Sequence, residues 1–279
     1  MRIPAASCTA VRAVLAGGPQ QLTWLGAGPS AVYLMTRTSA VLAIVAHDAV
    51  RLPCAIVVPR RSDELPLSAI APDPVELAEA TAVVGEGRIT WHGRRGRVTV
   101  TVARYWAPAR PTAGAPVPRA VREARDALRG RELGVARDVI RTLRPLGGPR
   151  HGDASAVVVL LGRGPGLTPS GDDVLAGFLI GARAFGPPAA AVADRVADLA
   201  PVRTTALSAQ LLRHAADGDC IPQVATLVDA LTGRTGVPAA VDGLLAVGHT
   251  SGAALAAGVL AAAEGAPSFT RALSSRAMS

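Results

Sequence analysis

GRGPGLTPSGDDVLAGFLIGARAF, residues 162–185, joins a loop of unusual composition to an apolar helical pattern. The first twelve of these residues hold four glycines and two prolines and end in two adjacent aspartates. The residues that follow are apolar or small, which predicts a buried helix. Ser170 and Asp173 have the spacing of a capping box, so the helix is expected to begin at Gly171 with Ser170 as its N-cap.

Helical patterns continue on both sides of this stretch. PRAVREARDALR (118–129) places Val121, Ala124 and Leu128 on one face of a helix, and Glu132–Leu143 predicts a second one. Beyond these, helical runs separated by Gly- and Pro-containing turns are expected at 154–161, 173–185, 189–200, 204–216, 221–232, 238–247 and 252–264.

The first hundred residues predict strands instead. Short runs rich in Val and Ile occupy 31–35, 40–46 and 55–59, and RITWHGRRGRVTVTV (88–102) predicts a hairpin connected by HGRRG. Four prolines in 108–118 predict a linker or a rigid strap. The expected fold is therefore α+β, with a β-rich N-terminal domain over 1–107, a Pro-rich linker over 108–118 and an all-helical C-terminal domain over 119–279.

Composition and charge indicate which classes of binding partner to expect. The chain has 279 residues and a net charge of +8, and all 29 basic residues are arginine. A positive surface attracts small anions or acidic partners. No nucleic acid is expected, because the arginines are dispersed and only 3% of residues are aromatic. At the hairpin tip, His92, Arg94, Arg95 and Arg97 are interpreted as a solvated loop, with anion binding as the alternative.

Cysteine usage and hydropathy indicate the compartment. Cys8, Cys54 and Cys220 are odd in number and form no CxxC pair, which argues against zinc or a disulfide framework and favours the reducing cytoplasm. No membrane association is expected. The apolar stretch 244–263 includes His249, Thr250 and Ser251, so it is interpreted as a buried helix preceded by a polar turn.

The loop 162–173 is predicted to bind an anion. Its glycines leave backbone N–H groups able to point at a ligand, and the positive end of the helix dipole adds to the attraction. Asp172 and Asp173 would repel that anion, which leaves two interpretations open. Either Mg²⁺ bridges the pair to the substrate, or the glycine amides hold the anion while one aspartate holds an amide N–H or moves a proton. No other cofactor is assigned.

Two further motifs show similar composition at predicted helix starts. In GHTSG (248–252), His249 is a candidate general base, and an ordinary polar cap is the alternative. In RTTALS (203–208), Arg203 could bind a carboxylate or phosphate, and a capped helix with a flanking arginine is the alternative. If the three helix starts converge, they form a pocket for a small anion. Its candidate residues from these two motifs are Arg203, Thr204, Ser208, His249, Thr250, Ser251 and Gly252.

At GPGLTPSGDD (164–173) the sequence closely resembles the AllH-like family, which includes the AllH subunit of bacterial oxamate carbamoyltransferase. The resemblance extends more loosely to RTTALS with the leucines at 211–212, to GHTSG with Gly258, and to Trp106–Pro108.

The resemblance implies a subunit that acts with AllF-like and AllG-like partners. The implied reaction interconverts oxalurate plus phosphate with oxamate plus carbamoyl phosphate, in purine-nitrogen salvage. It also implies that Asp172 and Asp173 orient the carbamoyl nitrogen or a metal. The substrate-binding residues that it implies are Gly164, Gly166, Thr168, Ser170 and Gly171. A non-catalytic subunit that senses an anion or serves as a scaffold is the alternative function, and a standalone hydrolase is a third.

Overall fold

The computed structural model describes residues 1–143, 155–186 and 189–266 and divides into two compact units, Met1–Pro108 and Ala109–Ser279. Strands dominate the first unit and helices form the second, which confirms the predicted α+β class. Residue 154, at which one predicted helix begins, lies outside the described residues, as do the last residues of the predicted helical domain.

The first unit is a closed barrel of eight strands in the order β1-β5-β4-β3-β2-β6-β7-β8. The pairs β4–β5 and β8–β1 are parallel, and the other neighbouring strands are antiparallel. The strands are β1 (Arg2–Cys8), β2 (Gln20–Ala27), β3 (Ala31–Thr36), β4 (Val41–Val45), β5 (Ala55–Val57), β6 (Ala82–Gly85), β7 (Arg88–Gly93) and β8 (Gly96–Trp106), with a short helix α1 (Arg12–Ala16) between the first two.

Alternating side chains fill the barrel. On β7, Ile89 and Trp91 are buried while their neighbours along the strand face outward, as the period of two in a strand requires. The rings of Trp24 and Trp91 pack edge to face, with centroids 5.8 Å apart and an interplanar angle of 83°. The indole N–H of Trp91 donates to the carbonyl oxygen of Ile70 at 2.7 Å, so this buried donor is satisfied.

The predicted strands at 31–35, 40–46 and 55–59 and the predicted hairpin are confirmed. The hairpin connection is shorter than HGRRG, because β7 and β8 pair up to Gly93 and Gly96 and leave only Arg94 and Arg95 in the turn. The sequence did not predict β1, β2, β6 or barrel closure. The register of β1 shifts between Ala5 and Ala6, and that of β2 shifts between Trp24 and Gly26, so both depart from a simple alternating pattern.

Nine helices lie in the described part of the second unit. They are α2 (Pro118–Ala127), α3 (Arg137–Arg141), α4 (Ser155–Leu160), α5 (Ser170–Phe185), α6 (Ala190–Arg203), α7 (Ala206–Asp217), α8 (Pro222–Leu231), α9 (Val237–Leu245) and α10 (Ser251–Gly265). Helices α5 and α10 pack against each other most extensively, through small residues. A side chain at Gly258 would lie 2.0 Å from the carbonyl oxygen of Val174, so the helix backbones are in direct contact there.

The predicted helix over Glu132–Leu143 was wrong in its first turn. Only Arg137–Arg141 is helical, because Gly134 has a φ of +67°, which an α-helix does not accommodate. The stretch 244–263 forms the end of α9, a turn and the buried helix α10, as predicted. No helix among the described residues has the length and apolar character needed to cross a membrane.

Residues 109–117, expected to be part of a linker, are extended and hydrogen bonded within the helical unit. Ala109 pairs with Cys220, and the amide of Gly114 donates to the carbonyl oxygen of Ala184 at 2.9 Å. Arg110 Nε also donates to Asp219 Oδ1 at 2.6 Å. The segment is thereby fixed on this unit.

Candidate functional site

The loop before α5 depends on glycine at two close approaches. Gly162 has a φ of +75°, and a side chain there would lie 2.1 Å from the carbonyl oxygen of Arg203. Gly164 has a φ of +121°, and its Cβ would lie 2.8 Å from the amide nitrogen of Ser170. Backbone conformation and space both exclude larger residues, so the loop lies directly against the end of α6 at Gly162 and against the start of α5 at Gly164.

The predicted capping box is wrong. Helix α5 begins at Ser170 with Pro169 as its N-cap, and no side chain caps it. The amides of Asp172 and Asp173 donate to the carbonyl oxygen of Pro169, at 2.9 and 3.1 Å. The amide of Gly171 donates to the backbone carbonyl oxygen of Arg163 at 2.9 Å. The backbone of the loop thus satisfies the first turn, which leaves the Ser170 hydroxyl free for another contact.

Asp172 is buried, and both of its carboxylate oxygens are engaged. Its side chain belongs to a residue that is 1% exposed. Oδ1 accepts from the amide of Gly162 at 2.7 Å, and Oδ2 accepts from the hydroxyl of Ser208 at 2.7 Å and from that of Thr204. Asp172 therefore ties the loop to the start of α7, and its carboxylate is committed to these three donors.

The Asp173 carboxyl group is also buried, but its hydrogen bonding differs from that of Asp172. It is 8% exposed, and among the described residues its Oδ2 has no hydrogen-bond partner. The pKa of Asp173 is raised to about 7. Burial is the largest cause, the charge of Asp172 raises the pKa further, and a hydrogen bond from Ser251 partly offsets both. A carboxyl group with this pKa exchanges its proton near neutral pH, as a general acid or base must.

Hydroxyl groups from two of the predicted motifs meet beside Asp173. The hydroxyls of Ser170 and Thr250 lie 3.2 Å apart, and those of Thr168 and Ser251 lie 3.5 Å apart. Through Asp172, the third motif also contacts this loop, since Thr204 and Ser208 donate to that carboxylate. The starts of α5 and α10 and the start of α7 therefore lie in one cluster.

The loop presents backbone N–H groups to solvent. Gly164 and Gly166 are exposed, and among the described residues no acceptor is found for their amides or for that of Thr168. The loop carbonyl of Leu167 accepts from the Thr205 hydroxyl at 2.5 Å, which holds the loop against α7. Free amides beside the N-terminus of a helix are a favourable environment for an anion.

Several predicted residues have other positions. His249 is exposed in the turn before α10 and makes no hydrogen bond or ion pair with the described residues. Arg203 does not open α7 as predicted but ends α6, where its guanidinium donates to the carbonyl oxygen of Val158 at 3.4 Å. Gly171 and Gly252 lie where a side chain would meet a carbonyl oxygen at 2.0 and 1.9 Å, so they permit close backbone packing.

Sequence reasoning missed Gly134. Its backbone lies against the serine and threonine pair, because a Cβ there would lie 2.1 Å from Ser170 Oγ and 3.6 Å from Thr250 Oγ1. The segment that it interrupts was expected to be helical, and a single glycine in a helical pattern gives little warning of such a contact.

The donor set does not fit Mg²⁺ bridged by the aspartate pair. Mg²⁺ requires several oxygen ligands in octahedral geometry, and both oxygens of Asp172 already accept hydrogen bonds. In the described ranges no group of three or more His, Cys, Asp or Glu side chains could hold a metal ion. The geometry is compatible with the other interpretation, in which the loop amides hold the anion and only one of the two aspartates, Asp173, has a carboxylate oxygen without a partner among the described residues.

The fold and this cluster define a two-unit α+β protein, with a closed β-barrel and a helical unit that carries a buried carboxyl group of raised pKa. Comparison with protein families matches residues 160–263 to the family described as oxamate carbamoyltransferase subunit AllH. The matched residues include α5, α7 and most of α10 and are similar to that family. No solved structure matches the chain.

Proposed function

We propose that this protein is a subunit of a carbamoyltransferase and binds a small anionic amide beside the loop 162–169. The substrates that we assign are oxamate with carbamoyl phosphate, or oxalurate with phosphate in the reverse direction. The observation that carries the proposal is Asp173, a buried carboxyl group next to the Ser251 hydroxyl, with one oxygen that has no partner within the described ranges. The AllH-like match over the same residues supplies the reaction class.

The loop accounts for binding of the anion. The amides of Gly164, Gly166 and Thr168, together with the positive end of the α5 dipole, attract a carboxylate or phosphate. Asp173 with a pKa of about 7 is partly neutral at physiological pH, so its repulsion of the anion is weaker than that of an ordinary aspartate. The two oxygens of Asp172 are already occupied by its three donors.

The Asp173 and Ser251 pair accounts for proton transfer. In the forward direction, the amide nitrogen of oxamate forms a bond to the carbonyl carbon of carbamoyl phosphate. The carbon–oxygen bond to phosphate breaks, phosphate leaves with the electron pair, and the nitrogen loses a proton. Ser251 accepts that proton while its own proton passes to the Asp173 carboxylate, which gives general-base catalysis. Asp172 acts as a positioning residue that holds Gly162 and Ser208 around the site.

Assembly with other subunits is part of the proposal. The family name describes a subunit, so we expect AllF-like and AllG-like proteins to complete the enzyme. The chain on its own would then bind the small anion and show little turnover. Substantial turnover of carbamoyl phosphate by the isolated chain would instead favour a standalone hydrolase.

The test is binding and turnover with Asp173→Asn and Ser251→Ala, measured with the chain alone and with candidate partner subunits. Oxamate binding is followed by calorimetry, and phosphate release from carbamoyl phosphate follows turnover. We expect Asp173→Asn to lower turnover about 100-fold or more and to change oxamate affinity little, because removal of a general base has that effect. Asp198→Asn, at an exposed position on α6, is the matched control.

Two results would contradict the catalytic role. If Asp173→Asn retains full turnover in the assembled enzyme, Asp173 is not the base. If the variant loses only its assembly with partners while the wild type shows no turnover in any combination, the chain is a scaffold or an anion-sensing subunit.

A further inference from the structure

One outward face of the barrel carries a group of polar side chains that the proposed function does not use. Cross-strand register places Thr90 of β7 opposite Thr99 of β8, with Arg88 opposite Thr101 and His92 opposite Arg97 on the same face. The residues between them on each strand point inward and are buried. Side chains directly opposite each other on a sheet lie about 5 Å apart, so these six side chains form a continuous surface.

The same face continues onto both neighbouring strands. Val83 of β6 lies opposite Thr90, and Arg2 of β1 lies opposite Thr99. This face lines a cavity of about 900 Å³, which also includes Pro19, Thr81, Gly85 and Glu86. The volume is several times that of a single phosphate ion, so the surface accommodates an extended ligand.

Positive charge predominates on this face. Arg2, Arg88 and Arg97 line the cavity, and Glu86, the one carboxylate among its lining residues, forms an ion pair with Arg88. In the described ranges, Arg2 and Arg97 have no carboxylate within ion-pair distance. The threonine hydroxyls can donate to or accept from a ligand, and their methyl groups add apolar contact area.

The surface does not suit strand addition or base stacking. The barrel is closed, so β6, β7, β8 and β1 all pair on both sides and expose no free backbone edge. Among the described residues that line the cavity, Trp91 is the only Phe, Tyr or Trp, and it is 2% exposed and packs inside the barrel. Nucleic acid bound as a single strand relies on exposed aromatic platforms, so a partner recognised through carboxylates fits this face better.

We propose that the face formed by Arg2, Thr90, Arg97, Thr99 and Thr101 binds an extended acidic segment of a partner protein. Arginine guanidinium groups pair with the carboxylates of the segment, and the threonine hydroxyls bind its backbone or its carboxylate oxygens. This inference concerns the barrel unit and does not depend on the carbamoyl chemistry of the helical unit.

The experiment titrates the full chain with a poly-glutamate peptide and, separately, with a poly-dT oligonucleotide of equal charge. Binding is measured by calorimetry and located by amide chemical shifts. We expect peptide binding with shifts concentrated on β7, β8 and the start of β1. Replacing Arg2 and Arg97 together with glutamine should weaken that binding about tenfold or more, because both charge-assisted contacts are lost.

The matched control removes two positive charges from the turn of the hairpin that carries Arg97. Arg94→Gln with Arg95→Gln changes the turn residues, which do not line the cavity, and should leave peptide affinity nearly unchanged. Thr90→Val with Thr99→Val keeps the β-branched shape and net charge and should weaken binding through the hydroxyls alone.

Three outcomes would overturn the proposal: no peptide binding, equal weakening by both arginine pairs, or tighter binding of the oligonucleotide. Equal weakening would mean attraction to net charge only, and tighter oligonucleotide binding would assign the face to nucleic acid. Oxamate binding measured on the same variants separates a failure here from a failure of the proposed carbamoyltransferase role.

Discussion

The amide of Gly162 donates to Oδ1 of Asp172 at 2.7 Å, which ties the first residue of the glycine-rich loop to the first turn of the helix that follows it. The second oxygen of the same carboxylate holds Ser208 at the start of α7. Asp173, its neighbour in sequence, instead has an oxygen that finds no hydrogen-bond partner in the described part of the chain. The two adjacent carboxyl groups therefore differ in their surroundings: Asp172 holds the loop by hydrogen bonds, and Asp173 has a raised pKa.

Asp172→Ala is expected to destabilise the helical unit by about 3 kcal/mol, because it leaves buried donors at Gly162 and Ser208 without an acceptor. Denaturant unfolding measures the change. Asp172→Asn should lose less, since the amide oxygen can still accept one of these bonds. Asp198→Ala, at an exposed position, should change stability by less than about 0.5 kcal/mol. Equal effects at the two positions would mean that the contacts of Asp172 contribute nothing.

Asp173→Asn is expected to remove a pH dependence of stability. The pKa of Asp173 is raised from 3.8 to about 7, so the folded chain binds the proton more tightly than the unfolded chain. The wild type should therefore lose stability as pH rises from about 4 to about 7 and lose no more above that range. The full loss is about 4 kcal/mol at most, from about 1.4 kcal/mol for each pKa unit.

Unfolding free energies of wild type and Asp173→Asn, measured across this pH range, provide the check. The variant should become progressively more stable relative to the wild type as pH rises. A constant difference from pH 4 to pH 8 would show that Asp173 titrates at its ordinary pKa. The same series with Asp198→Asn supplies the baseline for losing one aspartate.

The sequence predicted the elements of the site better than their contacts. The loop, the helix after it and the polar turn before α10 follow from local composition, because glycine, proline and hydroxyl residues act on their own backbone. The capping box failed because Ser170 contacts Thr250, which lies 80 residues away in the sequence. Such a partner leaves no signal in the spacing of nearby residues.

The barrel was less predictable than the helices for a related reason. Alternation identifies a strand such as β7, but closure depends on the parallel pairing of β8 with β1, across nearly the whole unit. The contact of Gly134 with Ser170 is equally remote from local pattern. Asp172 and Asp173 are adjacent residues of the same type, so the sequence alone does not distinguish them. Their burial and the hydrogen-bond donors around them in the structure do.

Gly164→Ala should weaken oxamate and phosphate binding more than Gly166→Ala. Both glycines have positive φ, +121° and +88°, so alanine is strained at either position. Only at Gly164 would the new Cβ also meet a backbone atom, the amide nitrogen of Ser170 at 2.8 Å, whereas Gly166 has open space. Calorimetric titration of both variants tests this, and equal affinities would show that the approach of the loop to α5 is not needed for binding.

Gly134→Ala should disturb the pair formed by Ser170 and Thr250, while Gly130→Ala should not. The φ values of the two glycines, +67° and +73°, are similar, so each substitution costs about 1 kcal/mol in backbone strain. At Gly134 the Cβ would also lie 2.1 Å from Ser170 Oγ, and at Gly130 it meets nothing. Loss of oxamate affinity in Gly134→Ala alone supports a role for this segment beside the site. Equal affinity in both variants would contradict it.

Gly258→Ala and Gly243→Ala should change stability in opposite directions, although both replace a glycine within a helix. Alanine is favoured over glycine in a helix by about 1 kcal/mol, and Gly243 on α9 has open space around it, so Gly243→Ala should be stabilising by up to that amount. At Gly258 the methyl group would lie 2.0 Å from the Val174 carbonyl oxygen and 2.7 Å from the Phe178 amide nitrogen. These are backbone atoms of α5, so the two helices must separate, and we expect a loss of about 2 kcal/mol or more. Thermal unfolding of both variants provides the measurement. If Gly258→Ala is as stable as the wild type, the direct backbone contact between α5 and α10 does not hold, and with it the placement of Ser251 beside Asp173.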